Sequence, residues 1–197
     1  MLKKTIAGVA VLVAISFGAL LAQDKGGGKG GQKGPAGPGL TLTSPDLVDG
    51  AVIPDKFTQK GGATAGSPKL EWSNVPAGTV TFALLMHDPD VAMAKKMDDV
   101  THWMAFNIPG SATSLPASVP NDPKLADGTI QIMNTGRRVG YMGPGAPAPG
   151  PYHHYTFILF ALDTTLSLGP DATRADVEKA MDGHILAKGV LAGRFHQ

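Results

Sequence analysis

Three histidine-bearing strings carry the chemistry that this sequence offers. His87-Asp88-Pro89-Asp90, His102-Trp103 and His153-His154-Tyr155 each set an imidazole near an acid, a turn residue or an aromatic ring. Imidazole donates or accepts a hydrogen bond according to its protonation, and a phenol does both. Such groups converging with turn amides suit a small anion. Asp88 would not meet an anion itself. Its expected task is to accept a proton-bearing histidine nitrogen and so fix that ring. The same side chains are tolerable zinc ligands. Neighbouring His87 and Asp88 diverge to opposite faces of a strand, however, so no metal is expected and His87 is assigned a structural or rim position. His184 and His196 stand near the C-terminus without sequence partners and are expected to face solvent.

Catalysis needs an identifiable nucleophile. The 197 residues contain no Cys, no Gly-x-Ser-x-Gly elbow, no Gly-Lys-Ser/Thr phosphate loop and no His-Glu-x-x-His. Thr101 and Thr156 adjoin the histidines but belong to no motif. No catalytic residue and no cofactor are assigned, and a weak ester hydrolase stays only as an alternative.

Strands must position these groups. Thr79–Met86, His102–Ile108 and Tyr155–Leu162 are apolar, β-rich runs bounded by turn residues. If they are neighbours, their histidine-bearing ends meet at one rim. Weaker strands are read at Leu40–Thr43, Leu70–Trp72, Thr129–Thr135 and Gly189–Phe195. The 26 Gly and 16 Pro punctuate this pattern. The whole predicts an all-β sandwich. One helix is signalled near 173–182, where Thr173 and Asp176 form a capping-box start and Gly183 supplies the stop. A second short helix is read at Ala92–Asp99. The Pro/Gly segment 140–151 precedes the third histidine string and is read either as a stiff wall or as a plain connection.

Ahead of this domain the chain changes character twice. Lys3-Lys4 followed by an uncharged stretch from Thr5 to Ala22 has the layout of a secretory signal peptide, with cleavage after Ala22. The alternative is an uncleaved anchor, since the run is long enough to span a bilayer. Without Cys it cannot be a lipoprotein signal. Either way the remainder, 23–197, is expected to be exported, periplasmic or secreted, with membrane contact only through an uncleaved leader. Residues 23–39 carry no large apolar side chain and read as a flexible Gly/Lys/Pro tether. The net charge of +1 argues against a nucleic-acid partner. It is also an average, because residues 40–197 hold 12 basic and 15 acidic side chains, a net of −3.

These strings stand in an order that resembles the phosphatidylethanolamine-binding protein family, in its bacterial branch of Raf-kinase-inhibitor-like (YbhB/YbcL-type) proteins. The resemblance starts at Asp49-Gly50…Ile53-Pro54 and continues through Ser67-Pro68-Lys69-Leu70-Glu71-Trp72 and Asp88-Pro89-Asp90. It then takes in His102-Trp103…Asn107-Ile108-Pro109, Gly140-Tyr141-Met142-Gly143-Pro144, Pro147-Ala148-Pro149-Gly150 and His153-His154-Tyr155. It implies a two-sheet antiparallel, Greek-key-like sandwich with a short C-terminal helix. It also implies an anion pocket at one rim, formed by Asp88, His102, His153 and Tyr155 with Asp90 and Pro147 as walls. The ligands implied are phosphate-like anions, including a phospholipid head group. Three positions depart from the family pattern. Val91-Ala92 stand in place of Ala-Pro, His154 in place of Arg, and Ala148 in place of a wall proline. Exchange of Arg for His removes a permanent charge, which is expected to weaken anion binding near neutral pH. A protein-interaction or inhibitor module using the Pro-rich rim stays open as a second reading.

Overall fold

The computed structural model describes residues 39–197. The expected leader, 1–22, and the tether, apart from Gly39, lie outside the described residues. Among the described residues no helix is long and apolar enough to cross a membrane.

Eight strands and one helix follow one another along the domain. They are β1 (Thr41–Thr43), β2 (Leu70–Ser73), β3 (Thr81–Asp88), β4 (Val100–Pro109), β5 (Ser114–Leu115), β6 (Ile130–Gln131), β7 (His153–Leu162), α1 (Arg174–Met181) and β8 (Ile185–Phe195). They form a three-stranded sheet, β1-β2-β5, and a five-stranded sheet, β6-β4-β3-β7-β8. Every strand ladder is antiparallel. The expected all-β, two-sheet architecture with one short helix is the one observed.

The three apolar runs recognised in the sequence are the central strands β3, β4 and β7. They are apolar on both faces because both faces are covered. Alternate residues Phe82, Leu84, Met86, Trp103, Tyr155 and Phe157 join Leu42, Leu70 and Trp72 of the small sheet in one core. The intervening Ala83, Leu85, Met104, Phe106, Phe160 and Leu162 pack with Val177 and Met181 of α1 in a second. Full burial of each such side chain contributes about 1.5–3 kcal/mol of transfer free energy. α1 begins as its sequence signalled. The Thr173 side chain accepts from the Asp176 N–H while the Asp176 carboxylate accepts from the Thr173 N–H, a complete capping box.

Several boundaries and one element differ from the sequence reading. The weak strand at 129–135 contracts to Ile130–Gln131, and β8 starts earlier, at Ile185. No α-helix forms over 92–99. A 3₁₀ turn at Met93–Lys95 stands there, with Ala94 and Lys95 at φ of 50° and 59°. That segment has no side-chain cap and no buried residue to dock against the core, so nothing offsets the cost of helix nucleation.

Candidate functional site

Antiparallel pairing brings the end of β3 between the beginnings of β4 and β7. Asp88 pairs with Val100 and His87 with both Thr101 and Thr156. The three histidine strings therefore share one rim, as their positions at strand ends implied. The β3–β4 register passes from Met86↔Trp103 to His87↔Thr101, so His102 is the extra residue of a bulge. A bulge re-aims a side chain. The His102 ring meets the Tyr155 ring edge-on, with centroids 5.0 Å apart.

A cavity of about 170 Å³ opens here, with Asp88, Val91, His102, Pro147, His153 and Tyr155 in its lining. The two histidines are each held through Nδ1, and the Tyr155 hydroxyl is held by backbone N–H groups. His102 Nδ1 lies 2.8 Å from the Met142 carbonyl oxygen, which can only accept, so Nδ1 carries the hydrogen and Nε2 is left over. His153 Nδ1 lies 2.8 Å from Asp88 Oδ2, and Asp88 Oδ1 accepts the Asp90 N–H at 3.0 Å. Tyr155 Oη accepts from the N–H groups of Gly145 (3.3 Å) and Ala146 (3.1 Å). Its own hydrogen is left for Asp88 or for a guest.

Burial holds His102 below the ordinary histidine pKa, against the opposing pull of the Met142 hydrogen bond and the Asp88 charge. The ring is neutral at pH 7, with Nε2 an acceptor. Burial, then the charge on Asp88, pushes the Tyr155 phenol up to about 12, so it remains a donor. The cavity thus joins an acceptor, a phenol and an imidazole oriented by a carboxylate.

Asp88, His102, Pro147, His153 and Tyr155 come together around this cavity. Asp90 does not join its lining. Its carboxylate instead accepts from the His154 backbone N–H at 2.6 Å and lies 3.0 Å from His154 Nδ1. Partial burial raises Asp90, but those His154 contacts outweigh it and hold the carboxyl below the usual aspartate value. His154 is thereby turned to the outer rim. His87 faces away from the cavity and bonds Asp99, 2.6 Å distant, which in turn pairs with Arg174 of α1. Tyr141 belongs to the core, donating to the Phe57 carbonyl at 2.7 Å. Burial drives its hydroxyl well above the tyrosine range.

Two histidines expected to lack partners have them. His184 Nδ1 is 2.8 Å from Asp163, and His196 stacks on Tyr152 while its Nδ1 lies 3.0 Å from the Gly150 carbonyl. Their partners are distant in sequence, 21 and about 45 residues away. Sequence reading also missed Gln59, Val91 and Met142 as lining residues. Met142 and the Gly145–Pro147 stretch sit inside the Pro/Gly segment, which does line the cavity. Gln59 carried no signal. Among the described residues no group of three or more His, Asp or Glu is placed to hold a metal ion.

Residues 43–196 match a family model described as phosphatidylethanolamine-binding protein. The chain belongs to that family. A UPF0098 protein of Methanothermobacter thermautotrophicus is 40% identical over 158 residues, spanning 80% of this chain and 99% of the relative. A Mycobacterium tuberculosis protein named "Putative lipoprotein LppC" is 36% identical over 82% of this chain and 74% of its own. The crystal structure of Escherichia coli YbcL, described as a new member of the mammalian PEBP family, superimposes with a TM-score of 0.72. It is 28% identical and matches 81% of this chain and 99% of YbcL.

Proposed function

We propose that the rim cavity binds a phosphoryl group, free or as the head group of a phospholipid, and that the domain does so after export. The observation that carries this reading is the anchoring of His102 and His153 through Nδ1 and of Tyr155 Oη by two backbone N–H groups, which leaves two Nε2 atoms and the Tyr155 hydroxyl hydrogen for a ligand. A monoprotonated phosphate or phosphomonoester such as phosphoethanolamine matches all three, whereas the diester of an intact phospholipid carries no P–O–H and meets only the donors. The monoester's P–O–H donates to the neutral His102 Nε2, and its charged oxygens accept from the Tyr155 hydroxyl, with the Asp88-fixed His153 ring beside them. Asp88 serves by orienting His153 rather than by touching the ligand. Export is supported by the Lys3-Lys4 leader layout and by the name of the mycobacterial relative. This chain has no cysteine to lipidate. No reaction is assigned to the site.

Titration with inorganic phosphate and with phosphoethanolamine, followed by NMR at the His102, His153 and Tyr155 rings, tests the reading. Shifts from both ligands support a phosphoryl site, and a tighter response to phosphoethanolamine identifies the head group. The decisive variant is Asp88→Asn. It removes a negative charge, so simple repulsion predicts tighter binding. Loss of the carboxylate that fixes His153 predicts weaker binding, by about tenfold, the worth of one charge-assisted hydrogen bond. Silence of all three rings at millimolar ligand, or tighter binding in the variant, overturns the proposal.

A further inference from the structure

The head-group cavity does not stand alone. A second cavity, of about 430 Å³, shares Gln59 and Met142 with it as lining residues. Gln59 forms the low partition. Its backbone N–H donates to the Pro144 carbonyl at 2.8 Å, and its side-chain Nε2 donates to the Gly143 carbonyl at 3.1 Å. A Cβ on Gly145 would collide with the Gln59 carboxamide, so this side chain lies across the Gly143–Gly145 backbone. Gly143 lines the larger cavity and Gly145 the smaller one. Gln59 is exposed. A ligand leaving the small cavity therefore passes over an amide that can donate and accept.

Among the described residues, Arg138 is the only charged one lining the larger cavity. The other cavity-lining groups are neutral, among them Asn121, Tyr141 and Ala65. Arg138 is fixed by its backbone in a tight hairpin, where its N–H donates to Asn134 Oδ1 at 3.2 Å and its carbonyl accepts the Asn134 N–H at 2.8 Å. Its guanidinium has no ion-pair or hydrogen-bond partner among the described residues. Arg174, by contrast, is engaged by Asp99 and Glu178, and Arg194 donates to the Gly50 carbonyl. An unpaired guanidinium in a cavity without an acid is suited to a carboxylate or phosphate, which it can grip in bidentate fashion.

Building on the phosphoryl reading of the small cavity, we propose that the two cavities form one groove for a chain-like small molecule bearing two acidic groups. The phosphoryl group occupies the His102/His153 end, the chain crosses Gln59, and Arg138 binds the second acid. Linking two binding groups raises affinity only when the chain spans both sites, so the groove selects for length.

Calorimetric titration of the full chain with inorganic phosphate, a linear alkyl monophosphate, and α,ω-alkanediol bisphosphates of increasing length tests this. A matched series of ω-phosphoalkyl carboxylates distinguishes a second phosphate from a carboxylate. The expected result is an optimum chain length that binds about tenfold or more tighter than the monophosphate. Arg138→Gln abolishes that gain and leaves the monophosphate and inorganic phosphate affinities unchanged. Arg138 is exposed, and an unaltered melting temperature shows that the variant remains folded. No gain at any length, or a gain that survives Arg138→Gln, overturns the groove while phosphate binding stands. Failure of phosphate itself to bind defeats the small-cavity reading, and this inference with it.

Discussion

His102 shows how one buried residue ties binding to stability. Its ring is 3% exposed, and burial lowers its pKa because an imidazolium there is poorly solvated. The sign of the effect follows from proton counting. Below about pH 6.5 the unfolded chain takes up a proton at this histidine that the folded protein still refuses. Stability is therefore lost as pH falls from about 6.5 toward the lower folded value, by at most about 1.4 kcal/mol per pH unit for one proton. His102→Asn keeps a donor for the Met142 carbonyl and cannot titrate. Chemical denaturation between about pH 7 and 5 is expected to show a shallower fall in the variant. Equal slopes would remove His102 from the acid response. At this scale the sequence was informative about residue types and less so about pairings. His102, His153, Asp88 and Tyr155 were legible because motif order marked them. The Asp90–His154 pair was not legible, since it depends on a strand end and a turn 64 residues apart coming within 3.0 Å.

Among the elements, the Pro/Gly segment does most to shape the site. Its Met142 N–H donates to the His102 carbonyl, and the Pro144 carbonyl accepts the Gln59 N–H. Gly143 is what allows that approach. A Cβ there would stand 2.8 Å from the Thr58 carbonyl carbon and 2.9 Å from the Phe57 carbonyl oxygen, both backbone atoms that cannot swing aside. Gly143→Ala is expected to destabilise the domain by about 1–3 kcal/mol through overpacking and to weaken phosphate binding as the wall shifts. Thermal melting with a parallel phosphate titration checks both effects, and an unchanged melting temperature would show that the wall yields freely. The sequence offered two readings of this segment, wall or connection. It could not decide between them, because only contact with residues 57–59 makes it a wall. The capping box of α1 was legible because all its parts lie within four residues. The helix read at 92–99 failed for the complementary reason. Its local pattern was unopposed, but no core face receives it.

At the scale of the molecule, the folded region carries a net charge of −3, against the anionic ligand proposed for its rim cavity. Long-range attraction therefore contributes little to capture, and a few local donors must supply the affinity. Phosphate affinity is accordingly expected to change by less than about threefold between roughly 50 and 300 mM salt, since buried contacts are screened far less than surface charges. A steep decline measured by calorimetry would instead implicate the exposed Arg138 or the lysines Lys25, Lys29 and Lys33. What the sequence by itself determined is the local chemistry: three strands covered on both faces, one capped helix, the set of histidines and acids, and a family resemblance that the family model bears out. The elements and residue types are properties of composition and short-range periodicity, and the resemblance rests on short motifs standing in a recognisable order. The tertiary structure decided which rings converge, which atom of each is already engaged, and that Gln59 adjoins their cavity while Arg138 lines the larger one beside it. Those outcomes depend on strand register, one bulge and close backbone approach, which arise from packing across the whole chain and leave no mark within a short window of residues.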